Sequence, residues 1–184
     1  MNTVTVGEEI FEIFIPEEQL QQRITEIGRE LTEKFRDTVP VFIGILNGSF
    51  LFLADLVKSY TGDCEIDFLK LSSYGDEKIS SGNVKLLKEL NCKVEQRHLI
   101  FVEDIVDSGL SIKYMENLIA QHHPASVTVV SLLVKPNSLK YDVKIDYIGF
   151  NIPSRFVIGY GLDYAQKYRN LRSIYILRDE AKKE

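Results

Sequence analysis

A chain of 184 residues is long enough to bury one real core without disulfide or metal staples. A formal charge of −5, with 45% hydrophobic and 27% charged residues, argues against a protein whose main task is coating nucleic acid. Cys64 and Cys92 fit no metal-ligand spacing and no disulfide framework, residues 1–6 lack a signal-peptide pattern, and no apolar run nears the roughly 20 residues of a membrane span, so the reading is a cytoplasmic protein with no membrane partner.

The spacing then predicts a helix over 16–36: Pro16 opens it, Glu17 and Glu18 fill the first turn, and Leu20, Ile24, Ile27, Leu31 and Phe35 recur on one face. Residues 41–46 read as a buried strand, 47–49 as a tight turn and 50–59 as a helix. A strand over about 64–71 is expected to turn Ile66 and Phe68 inward. Residues 72–83 hold almost no apolar side chains and two glycines, which predicts a long mobile loop. Residues 84–90 return as a strand, 99–102 form the central strand, 108 to about 121 its helix and 126–134 the next strand. Shorter strands are expected at 145–150, 156–159 and 173–177. Strands alternating with helices describe an α/β fold, a mostly parallel twisted sheet flanked by helices. No repeat, low-complexity tract or linker interrupts the chain, so residues 1–184 read as a single domain.

The densest chemistry lies at 99–111. An apolar strand delivers Glu103, Asp104 and Asp107, and then Ser108, Gly109, Leu110 and Ser111 form a small-residue turn that opens a helix. Ligands of open α/β sheets bind at the carboxyl ends of strands. Carboxylates there suit hydroxyls or a metal ion, and a helix N-terminus suits phosphate. Together they suit a ribose phosphate. The plainer alternative makes Asp107 or Ser108 a helix cap and leaves the acids solvated. A phosphoacceptor aspartate at a strand end is disfavoured, because the earliest buried strand ends in Leu46, Asn47 and Gly48 and not in an acidic pair. Read plainly, Ser49 caps the helix after that turn, Lys135 is a solvated charge at a strand end, residues 156–158 are core strand, and Tyr160, Tyr164 and Tyr168 form a helical stripe. His98, His122 and His123 have no ligand spacing and receive no catalytic part.

The run from Val102 to Ser111 resembles the phosphoribosyl pyrophosphate signature of type I phosphoribosyltransferases, in the form carried by the hypoxanthine-guanine branch. Further motifs follow in the family's order from about Pro40 to Ile176. The resemblance implies the type I phosphoribosyltransferase fold, with a small purine-binding hood from about 1–15 and 136–184 and a lid at 72–83 that includes Ser73 and Tyr74. It implies transfer of the 5-phosphoribosyl group from phosphoribosyl pyrophosphate to N9 of hypoxanthine or guanine, with release of pyrophosphate, as in purine salvage. Glu103 and Asp104 would then hold the ribose hydroxyls and favour oxocarbenium character at the anomeric carbon. The turn from Asp107 through Ser108, Gly109 and Leu110 to Ser111 would cradle the 5-phosphate, and Asp107 would take the purine N7 proton as general base. Leu46, Asn47 and Gly48 would bind pyrophosphate around a non-proline cis peptide at Leu46–Asn47, with Arg169 as a guanidinium partner.

The resemblance places Lys135 at the purine O6, Phe156 as a stacking ring, and Val157 and Asp163 along the purine edge. Glu103, Asp104 and Asp163 are the implied ligands of one or two Mg²⁺ ions. The implied partners are the 6-oxopurine base and phosphoribosyl pyrophosphate, with no nucleic acid, in a homodimer or homotetramer. Asn47 departs from the family, where Lys or Arg is common, and this predicts weaker pyrophosphate binding. A xanthine-preferring enzyme and a phosphoribosyl-pyrophosphate-sensing regulator on the same fold are the alternatives; the acidic charge speaks against the regulator. An orotate or uracil enzyme disagrees with Lys135 and with Phe156 and Val157.

Overall fold

The computed structural model describes residues 3–73 and 84–178 and arranges their strands in two sheets. The larger contains β3 (Val41–Leu46), β4 (Glu65–Ser73), β5 (Val84–Lys88), β6 (His98–Val106), β7 (Ser126–Val134) and β8 (Tyr147–Asn151), in the order β5-β4-β3-β6-β7-β8. All its pairings are parallel except β4 with β5. Helices α1 (Glu17–Lys34) and α2 (Phe50–Ser59) cover one face, and α3 (Leu110–Ala120) covers the other. Alternate residues of one strand therefore enter different cores. Phe42, Ile100 and Val102 meet Leu20, Ile24, Phe52 and Leu56, while Val41, Ile43, Leu99 and Phe101 meet Ile112, Met115 and Ile119. Burial on both faces explains why these strands read as unbroken apolar runs.

The smaller sheet is antiparallel, in the order β1-β2-β10-β9, from β1 (Thr3–Val6), β2 (Glu9–Ile15), β9 (Val157–Ile158) and β10 (Ile174–Leu177). Val6, Phe11, Ile158 and Tyr175 form its core. Residues 136–178 contribute to both sheets, because β8 joins the larger one. Among the described residues, no helix is long and apolar enough to cross a membrane.

Several local expectations need correction. Pro16 opens α1 as its N-cap, in extended conformation with its carbonyl accepting from Leu20 N–H at 3.1 Å, so the helix proper starts one residue later, at Glu17. In β4, Ile66 is 51% exposed, and Asp67 and Leu69 are the buried neighbours. The inward turn of Asp67 has a cause: the N–H groups of Phe68, Asn91 and Cys92 donate to its carboxylate at 2.7, 2.6 and 2.9 Å, and Lys88 Nζ donates at 3.2 Å. Strand β6 runs on to Val106, so Glu103 and Asp104 are strand residues. Helix α3 starts at Leu110, because Gly109 takes φ +83° and reverses the chain before it; neither Asp107 nor Ser108 occupies the capping position. Ser49 takes the N-cap position of α2, its carbonyl accepting from Leu53 N–H at 2.8 Å, but its Oγ donates back to the Ile45 carbonyl at 2.7 Å and caps no N–H. The tyrosines at 160, 164 and 168 lie in turns, with φ near +49° and +70° at Tyr160 and Tyr168, and form no helical stripe. The backbone of β4 reaches Ser73, opposite Val84, so residues 72 and 73, expected in the loop, are strand. Tyr74 and the rest of that loop lie outside the described residues.

Candidate functional site

The site forms where the sheet reverses its winding. From β3 the chain crosses through α2 on one face to β4; from β6 it crosses through α3 on the opposite face to β7. Strands β3 and β6 pair only as far as Gly44 and Val102, after which β6 continues against β7 alone. The gap between the two strand ends is the crevice where open α/β sheets bind ligands. It is a cleft of about 390 Å³. One wall is the turn Leu46, Asn47, Gly48; the floor is Glu103 and Asp104; Ser108, Leu110 and Ser111 supply the start of α3; Asp163 and Arg169 face them from the loop after β9.

The turn and the acids touch directly. A side chain at Gly48 would place its Cβ 1.6 Å from Asp104 Oδ2, so only glycine lets that carboxylate lie against the turn. On the far side Gly161, at φ +97°, packs so closely that a Cβ there would sit 2.0 Å from the Gly48 carbonyl oxygen. The Leu46–Asn47 peptide bond is cis, as the resemblance implies. Arg169 is held by the protein itself: Nη1 donates to the Gly161 carbonyl at 2.8 Å, and Nη2 meets Asp163 Oδ1 at 2.8 Å and Gln166 Oε1 at 2.9 Å.

The electrostatics of the floor are unusual. Glu103 is 6% exposed, and burial, with the negative charge of Asp104 next to it, raises its carboxyl well above the ordinary range. Burial also raises Asp104, to about 6, against the pull of the Ile105 and Asp104 N–H groups and of Arg169. No ion pair to either acid is present among the described residues. Two neighbouring carboxyls that charge reluctantly are poised for a cation or for hydroxyl donors.

Asp107 points elsewhere. Its side chain is more than half exposed and accepts from Lys135 Nζ at 2.8 Å. With Ser108, Gly109, Leu110 and Ser111 it lines a second, smaller cavity of about 100 Å³ at the same turn, beside Glu103. Phe156 stands 46% exposed, edge-on to Phe11 at 6.1 Å and to Tyr164 at 5.7 Å, and Val157 is buried in β9. The structure thus gathers 46–48, 103–104, 108, 110–111, 163 and 169 in one cleft. Lys135, Phe156 and Val157 line neither cavity, and Lys135 reaches the turn only through Asp107.

Glu103, Asp104 and Asp163 do not converge as a ready-made cage: among the described residues no three His, Cys, Asp or Glu side chains are placed to hold one metal ion. Asp163 is instead tied to Arg169 and to the Gln166 N–H. Their chemistry still fits a hard cation. Mg²⁺ takes oxygen ligands and is held through one or two carboxylates plus substrate phosphates, not through an all-protein shell. Sequence reasoning missed Leu71 in the cleft wall and the part played by Gly161. The pair Gly159 and Gly161, flanking one tyrosine, was the available signal for a close backbone approach.

The arrangement has close counterparts among known proteins. A phosphoribosyl transferase domain family matches residues 16–165. A hypoxanthine-guanine phosphoribosyltransferase of Bacillus subtilis is 45% identical over 170 residues, covering 92% of this chain and 94% of that protein. A hypoxanthine phosphoribosyltransferase of Escherichia coli is 40% identical over 173 residues, covering 92% and 97%. Among solved structures, a hypoxanthine-guanine phosphoribosyltransferase from Bacillus anthracis superposes with a TM-score of 0.86 at 40% identity, covering 90% of this chain and 97% of that one.

Proposed function

The chain belongs to the phosphoribosyltransferase family, and on that premise we propose that it transfers the 5-phosphoribosyl group from phosphoribosyl pyrophosphate to N9 of hypoxanthine or guanine, a step of purine salvage. The observation that carries this reading is the cleft itself: two reluctant carboxylates lie between a phosphate-sized turn and an arginine-backed loop.

In the reaction the bond from the anomeric carbon to pyrophosphate breaks and the bond to N9 forms. Glu103 and Asp104 accept from the ribose hydroxyls, and their charge stabilises the cationic sugar between the two events. The 107–111 turn, with its glycine reversal and the start of α3, receives the 5-phosphate. Leu46, Asn47, Gly48 and Arg169 receive the departing pyrophosphate, where a guanidinium fork matches a doubly charged group. Glu103, Asp104 and Asp163 are the residues that would hold Mg²⁺, which would supply positive charge to offset that gained by the leaving group.

Support for a 6-oxopurine comes from Asp107 and Lys135. That base presents an N7–H donor beside the O6 acceptor, and an acceptor carboxylate 2.8 Å from a donor ammonium offers the matching pair. Asp107 then takes the N7 proton while Lys135 donates to O6. Adenine, with an amino donor at that edge, is mismatched by a contact of the kind that discriminates by about 10⁴ or more. Phe156 leaves a ring face free to stack, Val157 and Asp163 follow the purine edge, and the small sheet that carries β9 serves as the hood over the base.

Both cysteines are free thiols, which suits the reducing cytoplasm. Ile66 and Leu87, each about half exposed on neighbouring strands, are surface that a homodimer or homotetramer would cover.

The test is direct. Purified protein is offered hypoxanthine, guanine, xanthine, adenine and orotate in turn, with phosphoribosyl pyrophosphate and Mg²⁺. The proposal expects inosine and guanosine monophosphates with one pyrophosphate each. Product from orotate alone, or from none of the bases, overturns it.

A further inference from the structure

The loop after β9 is anchored to α1 and α2 through Tyr160, Asp55, Gln21 and Lys58, none of them a proposed substrate contact. Tyr160 is 4% exposed and adopts φ +49°, a conformation that bulky residues rarely take. Its hydroxyl donates to Asp55 Oδ2, on α2, at 2.6 Å. Gln21 Nε2, on α1, donates to the same oxygen at 2.8 Å, and Lys58 Nζ holds the other carboxylate oxygen at 2.7 Å. The next residue, Gly161, presses on the Gly48 carbonyl and holds Arg169 through two hydrogen bonds, Gly161 N–H to the Arg169 carbonyl at 2.9 Å and Arg169 Nη1 to the Gly161 carbonyl at 2.8 Å.

These contacts close a ring. Helix α2 starts two residues after Gly48 and carries Asp55; Asp55 holds Tyr160; Tyr160 leads into Gly161; Gly161 bears back on Gly48. The turn at 46–48 is therefore gripped at its exit by α2 and from above by a loop that α2 itself secures. Packing alone would be served as well by phenylalanine at 160. The hydroxyl adds only the link to Asp55 and a long contact from Gln21 at 3.5 Å.

We propose that Tyr160 and Asp55 are positioning residues for the diphosphate edge of the cleft: their hydrogen bond sets the placement of the Asn47–Gly48 turn and of Arg169, and so governs affinity for pyrophosphate without touching it. This rests on the reading of that edge as the pyrophosphate subsite. The 5-phosphate turn and the Asp107–Lys135 pair lie outside the ring and are unaffected by it.

The test compares Tyr160→Phe, Asp55→Ala and Asp55→Asn with the wild type. Tyr160→Phe is expected to raise KM for phosphoribosyl pyrophosphate, and for pyrophosphate in the reverse direction, about fivefold to tenfold, while KM for hypoxanthine stays within about twofold. Asp55→Ala reproduces that split, and combining it with Tyr160→Phe adds little, because the two remove one link. Asp55→Asn keeps an acceptor for the phenol and stays near wild type. Wild-type KM values in Tyr160→Phe, or an equal rise for base and diphosphate substrates, overturn the proposal. Titrating magnesium pyrophosphate into each protein reads the same difference without turnover. A wild type that binds pyrophosphate but turns over no purine thus rejects the purine reaction and still decides the role of Tyr160.

Discussion

Two buried acidic sites in this molecule receive opposite treatment. Asp67, on β4, and Glu103, on β6, are each 6% exposed, Asp104 is half-buried beside Glu103, and burial alone would raise each carboxyl. At Asp67 three backbone N–H groups and Lys88 overcome that effect and hold the acid at about 2. At the pair, donors are scarce and the acids repel each other; Asp104 is pushed up to about 6 and Glu103 well above its ordinary value. Asp67 and Glu103 are equally exposed, and what most separates them is the donors provided. Asp67 is complete within the fold and anchors the 88–92 segment; Glu103 and Asp104 are left short of donors, which the proposed ligand would supply.

The largest effect expected from this contrast is catalytic. Replacing the pair, Glu103→Gln with Asp104→Asn, should lower kcat/KM by about 10² to 10³, because it removes charge that the cationic transition state needs. The folded protein should become no less stable, since two costly buried charges disappear. A melting temperature that falls sharply with activity intact would invert the assignment. Asp107→Asn comes next: a loss of about 10² in kcat is expected, with the acid limb of the forward pH profile flattened, and a wild-type profile would remove it as general base.

Stability should show the mirror image. Asp67→Asn is expected to cost about 2 kcal/mol in urea denaturation while leaving KM values in place, the size that follows from lowering a carboxyl from its ordinary value to about 2. The pH dependences have opposite signs. The depressed Asp67 contributes stability that is present above its unfolded value near 3.8 and is lost as pH falls toward 2. The raised Asp104 works the other way: its folded form binds the extra proton, so stability is greatest below about 3.8 and declines as pH rises through about 6. Denaturation curves from pH 3 to 8 in the wild type and the two variants would separate these contributions. The smallest effect concerns the turn. Asn47→Lys adds a cation beside the diphosphate and should tighten pyrophosphate about fivefold, the scale of one charge-assisted contact; no change would show that backbone amides and Arg169 already suffice.

How much of this was legible in the residues depends on how local the cause was. The apolar runs of β3, β6 and β7 announced a doubly covered sheet, and the α1 stripe announced one helix, because burial on both faces or on one stripe writes a direct pattern. Glu103 and Asp104 were legible as chemistry but not as strand, since two acids in succession read as the end of an apolar run until β7 is seen to pair alongside them. Strand β2 forms a local hairpin with β1, but its other partner, β10, lies some 160 residues away, so its place inside a second sheet had no local sign. The inward turn of Asp67 was equally non-local, depending on N–H groups at 91 and 92. The tyrosines at 160 and 168 misled by their spacing; their positive φ comes from the tight loop that brings Gly161 onto Gly48.

The contrast between the two acidic sites is tested most directly by following the carboxyl carbons of Asp67 and Asp104 by nuclear magnetic resonance through a pH titration, with and without inosine monophosphate and Mg²⁺. The account predicts that Asp104 titrates near 6 in the free protein and falls well below that value once the nucleotide supplies donors and charge, while Asp67 stays near 2 in both. An Asp104 that titrates unchanged at saturating nucleotide would contradict it.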